Sequence, residues 1–257
     1  MEIILALIMG AFIGMASGYL GTLMLSKRMA LVAGPLGHLT LPGIALAFLF
    51  GFDISLGAFP FVILGIILIW LFEIKTKLPM EALTAIVFAT GVAVTFLFLP
   101  EEKTIPALIG DISQISLIAV VITVILSLFI IFVTKKIYRK IILTEISEDI
   151  AKSEGLNVKK YNLLYLLCIA LIVSLGVKIV GGLMTAALVA IPACTSRNLS
   201  KNLFQYSYGG LILGGLSCIV GILGFNFTGI PAGLLIIITS AVFFLISLIF
   251  KKEAVNK

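Results

Sequence analysis

Long apolar runs separated by short basic connections constrain this chain more than any other feature. The runs fall at about 3–25, 31–51, 54–72, 81–99, 114–134, 161–179, 181–194, 207–225 and 231–250. A helix needs roughly 20 such residues to cross a bilayer. The seventh run is short and contains Gly181, Gly182 and Pro192, so we expect a broken or tilted segment there. The sequence predicts an all-α, polytopic membrane helix bundle with eight or nine transmembrane segments, forming a single domain over residues 1–257.

The composition excludes several classes of protein. Hydrophobic residues make up 61% of the chain and charged residues 12%, whereas soluble domains carry about 25% charged residues. These values exclude a cytosolic enzyme, a disordered tail and a nucleic-acid module. The formal net charge of +6 comes from basic residues between apolar runs, where they set the orientation of the chain. We therefore expect a lipid bilayer as its surroundings and no nucleic-acid partner.

The distribution of basic residues predicts the orientation. If all nine runs cross and the C-terminus is inside, only Lys103 and Lys178 of the 18 Lys and Arg residues face outward. Cytoplasmic connections are the ones enriched in Lys and Arg. The chain is thus predicted to lie in the cytoplasmic membrane with its N-terminus outside and its C-terminus inside. The outer face, which includes Asp53, is weakly negative; this either favours cations or reflects ordinary solvated carboxylates.

One long connection, 135–160, is predicted to be cytoplasmic. It should contain a short helix from Ser147 to Glu154, with Ser147 as the N-cap and Gly155 as the stop. The tyrosines near the predicted inner boundary are expected to lie at the membrane interface, as amphipathic rings do; they are Tyr138, Tyr161, Tyr165, Tyr206 and Tyr208.

Sequence signatures of soluble catalysis are absent from the chain. It has no phosphate-binding GxxxxGK[ST] loop, no HExxH and no GxSxG, and it has a single histidine. We expect no catalytic residues, no permanently bound cofactor and no ATP hydrolysis by this chain. The three cysteines, Cys168, Cys194 and Cys218, lack metal-site spacing and are expected to be packing residues.

His38 is the ionisable residue most strongly expected inside the membrane. A titratable group at that depth is costly unless it faces a cavity or a partner, and imidazole binds divalent cations. The alternative is a histidine satisfied by a nearby carbonyl or Thr hydroxyl. Helix-breaking residues surround it, namely Gly34, Pro35, Gly37, Pro42 and Gly43. They predict a bent or unwound helix that lines a pathway, or else tight packing of helices through small residues.

A second cluster lies at 181–200. We expect Pro192 to end the seventh segment and Thr195 or Ser196 to cap a short helix at about 193–203. This helix would display three residues to a cytoplasmic partner, namely Arg197, Asn198 and Lys201. The alternative is a plain basic loop that enforces orientation. Near the end of the chain, Pro231 suits the first turn of the last span.

Together these clusters resemble the membrane permease subunit of ABC importers for zinc, manganese or iron. Arg28-Met-Ala-Leu31 and His38 followed by Leu41-Pro-Gly43 are similar to RMAL-x-x-D-A-x-S-H-x-x-LPG. The 181–200 cluster resembles VGG-LL-x-TALL-x-IPAATAR-L, and Phe227 to Gly233 resembles L-P-x-G before the final span. The stretches 147–160 and 107–116 also match, so the resemblance covers nearly the whole chain.

The resemblance implies a set of partners. Two permease subunits would form the channel, here expected as a homodimer. Cytoplasmic ATP-binding-cassette subunits would hydrolyse ATP, and an extracytoplasmic binding protein would deliver the divalent metal substrate. Arg197 and its neighbours, Thr195, Ser196, Asn198 and Lys201, would form the coupling helix. His38 would contact the metal on its path.

One departure stands out. Where the family usually has Asp four residues before the histidine, this chain has Gly34. Asp and His at that spacing would share a helix face and could hold a divalent ion together. An ATP-independent channel or secondary carrier, and a scaffold that transports nothing, are therefore alternatives. A single imidazole does not choose between zinc, manganese and iron.

Overall fold

The computed structural model describes residues 2–27, 33–76, 78, 80–98 and 115–250. Over these ranges the chain forms helices connected by short turns, and no strand. The helices are α1 (Glu2–Ser26), α2 (Ala33–His38), α3 (Leu41–Phe50), α4 (Ile54–Thr76), α5 (Met80–Phe98), α6 (Leu117–Ile146), α7 (Glu148–Ser153), α8 (Val158–Leu199), α9 (Leu203–Thr228) and α10 (Ala232–Ile249). The prediction of an all-helical, polytopic membrane protein is confirmed.

In the part of the chain that the structure describes, six helices are long and apolar enough to cross a membrane. Their spans are Ile3–Ser26, Ile54–Phe72, Leu117–Ile146, Lys160–Gly182, Leu203–Thr228 and Ala232–Ile249. Two shorter apolar stretches, Pro35–Phe50 and Ala82–Leu97, accompany them. Six is fewer than the eight or nine segments expected from the apolar runs, so the larger number stays a prediction.

Helix α8 folds back on itself at Gly181. This residue has φ 74° and ψ 170°, outside the helical region, in a conformation that only glycine adopts readily. A methyl group at Gly176 would lie 3.6 Å from the Leu188 side chain, whereas a straight helix would separate these residues by about 18 Å. The chain therefore reverses, and residues 182–199 pack back against the preceding half of α8.

Glycines bring α1 and α9 into direct backbone contact. A side chain at Gly14 would overlap the backbone of Gly214, and one at Gly18 would overlap the backbone of Gly210. The pairing order shows that the two helices are antiparallel. Small residues at intervals of four allow membrane helices to approach this closely. We call these four residues the glycine contact. Their spacing of four on each helix is visible in the sequence and was an available signal for close packing.

The connection after α6 forms the helix predicted for it. In α7 the Ser147 hydroxyl accepts a hydrogen bond from the Ile150 N–H at 3.3 Å, and Gly155 follows the helix with φ 76°. The N-cap and the stop are confirmed. Helix α6 also extends to Ile146, so the first part of the 135–160 connection continues the preceding helix.

Several predicted interface tyrosines are instead packed inside the protein. Tyr138, Tyr165 and Tyr206 are buried. The Tyr138 hydroxyl lies 2.9 Å from the Thr22 hydroxyl, and the Tyr206 hydroxyl donates to the Thr22 carbonyl oxygen at 2.9 Å. Hydrogen-bond partners on α1 hold the rings of Tyr138 and Tyr206 inside the bundle.

Candidate functional site

His38 is the last residue of α2 and faces α5. Its side chain is half-buried, and its ring centroid lies 5.0 Å from that of Phe88, with the planes at 45°. The sequence predicts a cavity, a metal, a carbonyl or a hydroxyl beside this imidazole; the structure shows an aromatic ring there. An imidazole in contact with a ring on one side still has two nitrogens at its edge to bind a proton or a metal.

The helix break lies directly after His38. Leu39 and Thr40 form a turn between α2 and α3, and the Thr40 hydroxyl donates to the Gly37 carbonyl oxygen at 2.5 Å. That carbonyl is thereby satisfied and does not point into open space. Pro42 has no N–H, so it cannot donate to the carbonyl of His38, four residues earlier. The break thus leaves one carbonyl beside the imidazole without its usual helical donor.

The predicted helix-breaking residues do not all break helices. Gly34, Pro35 and Gly37 lie within α2, and Pro42 lies in the first turn of α3, where a missing N–H costs nothing. Gly43 packs against the backbone of Gly57 in α4. The chain thus bends at 39–40, and Gly37 and Gly43 also permit close packing; that the bend lines a pathway stays a prediction.

The reversal in α8 packs against this bend. A methyl group at Gly37 would lie 2.5 Å from the Gly182 carbonyl oxygen, and one at Gly182 would lie 3.3 Å from the Thr40 hydroxyl. Gly37 is therefore required for the contact, and Gly182 fits tightly against it. We call the set of Gly37, His38, Thr40 and Gly182 the break region. It brings together the two sequence clusters that carried the family resemblance.

An ion pair joins α8 to the turn between α3 and α4. Lys178 Nζ lies 2.5 Å from Asp53 Oδ2, and the lysine side chain is 9% exposed. Burial works to raise the pKa of Asp53, but the hydrogen bond and the charge of Lys178 outweigh it and hold that pKa below its ordinary value. The sequence analysis treated both residues as separate outward charges. A single lysine inside an apolar run was the available signal for a buried partner.

The coupling cluster has a different local structure from the one predicted. Helix α8 continues through Pro192 to Leu199. In a membrane bundle, the packing of neighbouring helices can offset the one hydrogen bond that a proline removes. The Thr195 hydroxyl donates to the Ile191 carbonyl oxygen at 2.8 Å, which places Thr195 inside the helix. The predicted end at Pro192 and the cap at Thr195 or Ser196 are therefore wrong. Pro231 directly precedes α10, at its N-cap.

The end of α8 nevertheless presents an exposed basic surface. Arg197 and Lys201 are exposed. Asn198 donates to the Ser247 hydroxyl at 3.0 Å, which ties the surface to α10. The Ser196 hydroxyl donates to the Tyr206 carbonyl oxygen at 2.7 Å, which ties it to α9. A rigidly held basic helix end can transmit a partner's movement to the helices behind it.

No preformed metal cage is found in the described part of the chain. Among those residues, no group of three or more His, Cys, Asp and Glu side chains could hold a metal ion. The three cysteines are free, and Cys168 and Cys218 are buried. The break region offers at most one imidazole and a neighbouring carbonyl. Such a set suits passage of an ion better than storage, since a pore site must release what it binds.

Comparison with known proteins matches nearly the full length. A family model described as the ABC 3 transport family matches residues 2–251. The chain is 28% identical over 258 residues to the manganese import system permease protein ScaB of Streptococcus parasanguinis, covering 98% of this chain and 92% of that protein. It is 29% identical over 265 residues to the high-affinity zinc uptake system membrane protein ZnuB of Haemophilus influenzae, covering 96% and 97%.

A solved structure has the same fold. PsaBC from Streptococcus pneumoniae, solved in complex with Fab, matches with a TM-score of 0.83 over 95% of this chain and 89% of that chain. The sequence identity is 24%. The likeness shows that the overall fold of this chain is a known architecture.

Proposed function

Because the chain belongs to the ABC 3 transport family, we propose that it is the permease subunit of an importer that moves a divalent transition metal ion across the cytoplasmic membrane. The observation that carries this proposal is the family match over residues 2–251. Relatives of nearly equal length are named for manganese import and for zinc uptake. The substrate is accordingly manganese, zinc or iron.

The proposed metal route passes the break region. His38 would contribute an imidazole nitrogen, and its carbonyl, which lacks the usual helical donor, can contribute an oxygen. Gly34 replaces the aspartate of the resembling motif, so a single subunit offers few ligands. A second copy of the chain, which we propose as the other half of the channel, would supply a second imidazole. Weak coordination of this kind permits release on the inner side.

The proposed energy source is a partner. ATP-binding-cassette subunits would dock at the exposed end of α8, where Arg197 and Lys201 face outward from the protein. Thr195, Ser196 and Asn198 would hold that helix end in place through the hydrogen bonds described above. An extracytoplasmic metal-binding protein would supply the ion from the other side.

The proposed topology has nine crossings. Six are the long apolar helices. The bent α2–α3 pair, α5 and residues 182–199 would complete them; the last of these rises about 27 Å, close to the hydrocarbon thickness. The contacts of Lys27 with Asn162 and of Lys140 with Tyr161 gather basic residues at one end of the bundle. The positive-inside rule supports a cytoplasmic position for this end, with the N-terminus outside.

Reconstitution tests the proposal. The permease, its ATPase and its binding protein should be placed in proteoliposomes, and uptake of Mn(II), Zn(II) and Fe(II) measured with ATP, without ATP, and with each metal as competitor. We expect uptake that requires ATP hydrolysis. Gradient-driven uptake by the purified permease alone would instead identify an ATP-independent channel or carrier. Absence of flux with every metal and partner would leave only a scaffold.

A further inference from the structure

The Asp53–Lys178 ion pair is unlike the other charged contacts of the protein. It links residues 125 positions apart, and Lys178 is nearly enclosed while the Asp53 side chain is 34% exposed. The other acidic side chains that the structure describes lie at the end of α6, in α7 and directly after it; they are Glu145, Glu148, Asp149 and Glu154. Among the acidic side chains that the structure describes, only Asp53 lies in the turn between α3 and α4.

The pair holds one end of α3 against α8. At the start of α3, Gly182 packs on Gly37 and Thr40. At its far end, Lys178 holds the turn that contains Asp53. Between these points Val177 packs with buried side chains of α3, which are Leu41, Ile44 and Ala45. The position of α3 relative to the α8 reversal therefore depends on a backbone contact at one end, a pair of charges at the other, and apolar packing between them.

The ion pair can open without leaving Asp53 unsatisfied. Asp53 Oδ1 accepts a separate hydrogen bond from the Ser55 N–H at 2.9 Å, and the partial exposure of the side chain gives the other oxygen access to water. The lysine ammonium is a single charge on a flexible stem. A divalent cation at the same distance interacts twice as strongly with the carboxylate, since the Coulomb energy scales with charge. Carboxylate oxygen is also a suitable ligand for manganese.

We propose that Asp53 is the carboxylate that receives the divalent metal ion before it reaches His38, and that Lys178 is a built-in competing cation that the metal displaces. This inference rests on the proposed function. While Lys178 occupies Asp53, α3 is held against α8 at both ends. When the metal takes its place, the far end of α3 is released, and the break region becomes free to move. Lys178 therefore lowers the affinity for metal while keeping the empty protein closed.

Two substitutions distinguish this competition from a purely structural role. Lys178→Met removes the competitor and leaves the carboxylate, so the KM for Mn(II) uptake should fall severalfold. Asp53→Asn removes the receiving carboxylate, so the KM should rise about tenfold or more, corresponding to roughly 1.4 kcal/mol. A structural ion pair predicts that both variants move KM in the same direction, or leave it unchanged; either result overturns the proposal.

A double variant covers the case in which Asp53→Asn leaves Lys178 unpaired and the protein fails to fold. Asp53→Asn with Lys178→Met has no buried charge, so we expect it to fold and yet to keep the raised KM. A parent-like KM in the double variant would contradict the proposal. Lys152→Met is the matched control, because it removes an exposed lysine paired with Glu148 at 2.8 Å and should leave KM unchanged.

The measurement is Mn(II) uptake against concentration by the permease–ATPase complex together with its binding protein in proteoliposomes, with thermal unfolding of each purified complex as the folding check. If the parent complex takes up no metal with ATP, the proposed function fails. If the parent transports and the two single variants do not shift KM in opposite directions, only the role of Asp53 and Lys178 fails.

Discussion

The glycine contact and the break region use the same small residue for different purposes. In the glycine contact, two continuous antiparallel helices meet backbone to backbone through Gly14, Gly18, Gly210 and Gly214. In the break region, glycine lets a bent helix approach the reversal of α8 beside His38. The first arrangement has no helix break that could serve as a hinge. The second contains a turn and lies next to Pro42 and the Asp53–Lys178 ion pair, so we expect function to be more sensitive there than stability.

The largest expected effect is on the glycine contact. Gly214→Ala would push a methyl group into the backbone of Gly14, and overpacking of this kind costs typically about 1–3 kcal/mol, with the backbone unable to relax. We expect a large fall in the thermal unfolding temperature in detergent and loss of most folded protein. Gly224→Ala on the same helix meets only the Leu235 side chain at 3.2 Å and should remain folded; equal losses would remove the distinction.

The next effect concerns the basic end of α8. Arg197→Glu reverses an exposed charge that we propose faces the ATPase, so the complex should fall apart or lose coupling while the permease stays folded. Co-purification and ATP-dependent uptake measure this. Arg139→Glu reverses another exposed basic residue, on α6, and serves as the control. Intact assembly and transport with Glu at position 197 would place the docking surface elsewhere.

His38→Ala should lower ATP-dependent metal uptake by about tenfold or more, a loss of roughly 1.4 kcal/mol in transition-state stabilisation, without changing the unfolding temperature greatly. The reason is that only the imidazole offers the metal a nitrogen ligand in the break region. Phe88→Leu removes the neighbouring ring and keeps the imidazole. If both variants lose uptake equally, the ring contact matters and His38 is a packing residue.

The smallest effect is expected at Thr40. Thr40→Val removes the hydroxyl that satisfies the Gly37 carbonyl oxygen, which should destabilise the protein by about 1 kcal/mol. Thr90→Val removes a comparable hydroxyl on α5, whose bond to the Ile86 carbonyl oxygen of 2.9 Å is exposed. The difference in unfolding temperature between Thr40→Val and Thr90→Val isolates the contribution of the break region to stability. Identical curves would show that the bend does not need this hydrogen bond.

Local patterns predicted local structure well. The Ser147 cap and the Gly155 stop followed from residue types a few positions apart, and the apolar runs located the membrane helices. The prediction that Pro192 ends its helix was wrong, because a proline costs a helix one hydrogen bond and tertiary packing in a membrane bundle can offset that loss. The burial of Tyr138 and Tyr206 was not predicted, because the partners of their hydroxyl groups lie on α1, far away in sequence.

The sequence by itself determined that this chain is a helical membrane protein and which family it resembles, since hydropathy and short motifs are read from neighbouring residues. Only the tertiary structure decided that Lys178 pairs with Asp53, that α8 reverses at Gly181, and that Gly37 meets Gly182. Such contacts join positions far apart in the chain, and they depend on how closely helices approach. Hydropathy carries no information about the distance between helices. That distance is set where a glycine, which has no side chain, lies at the contact.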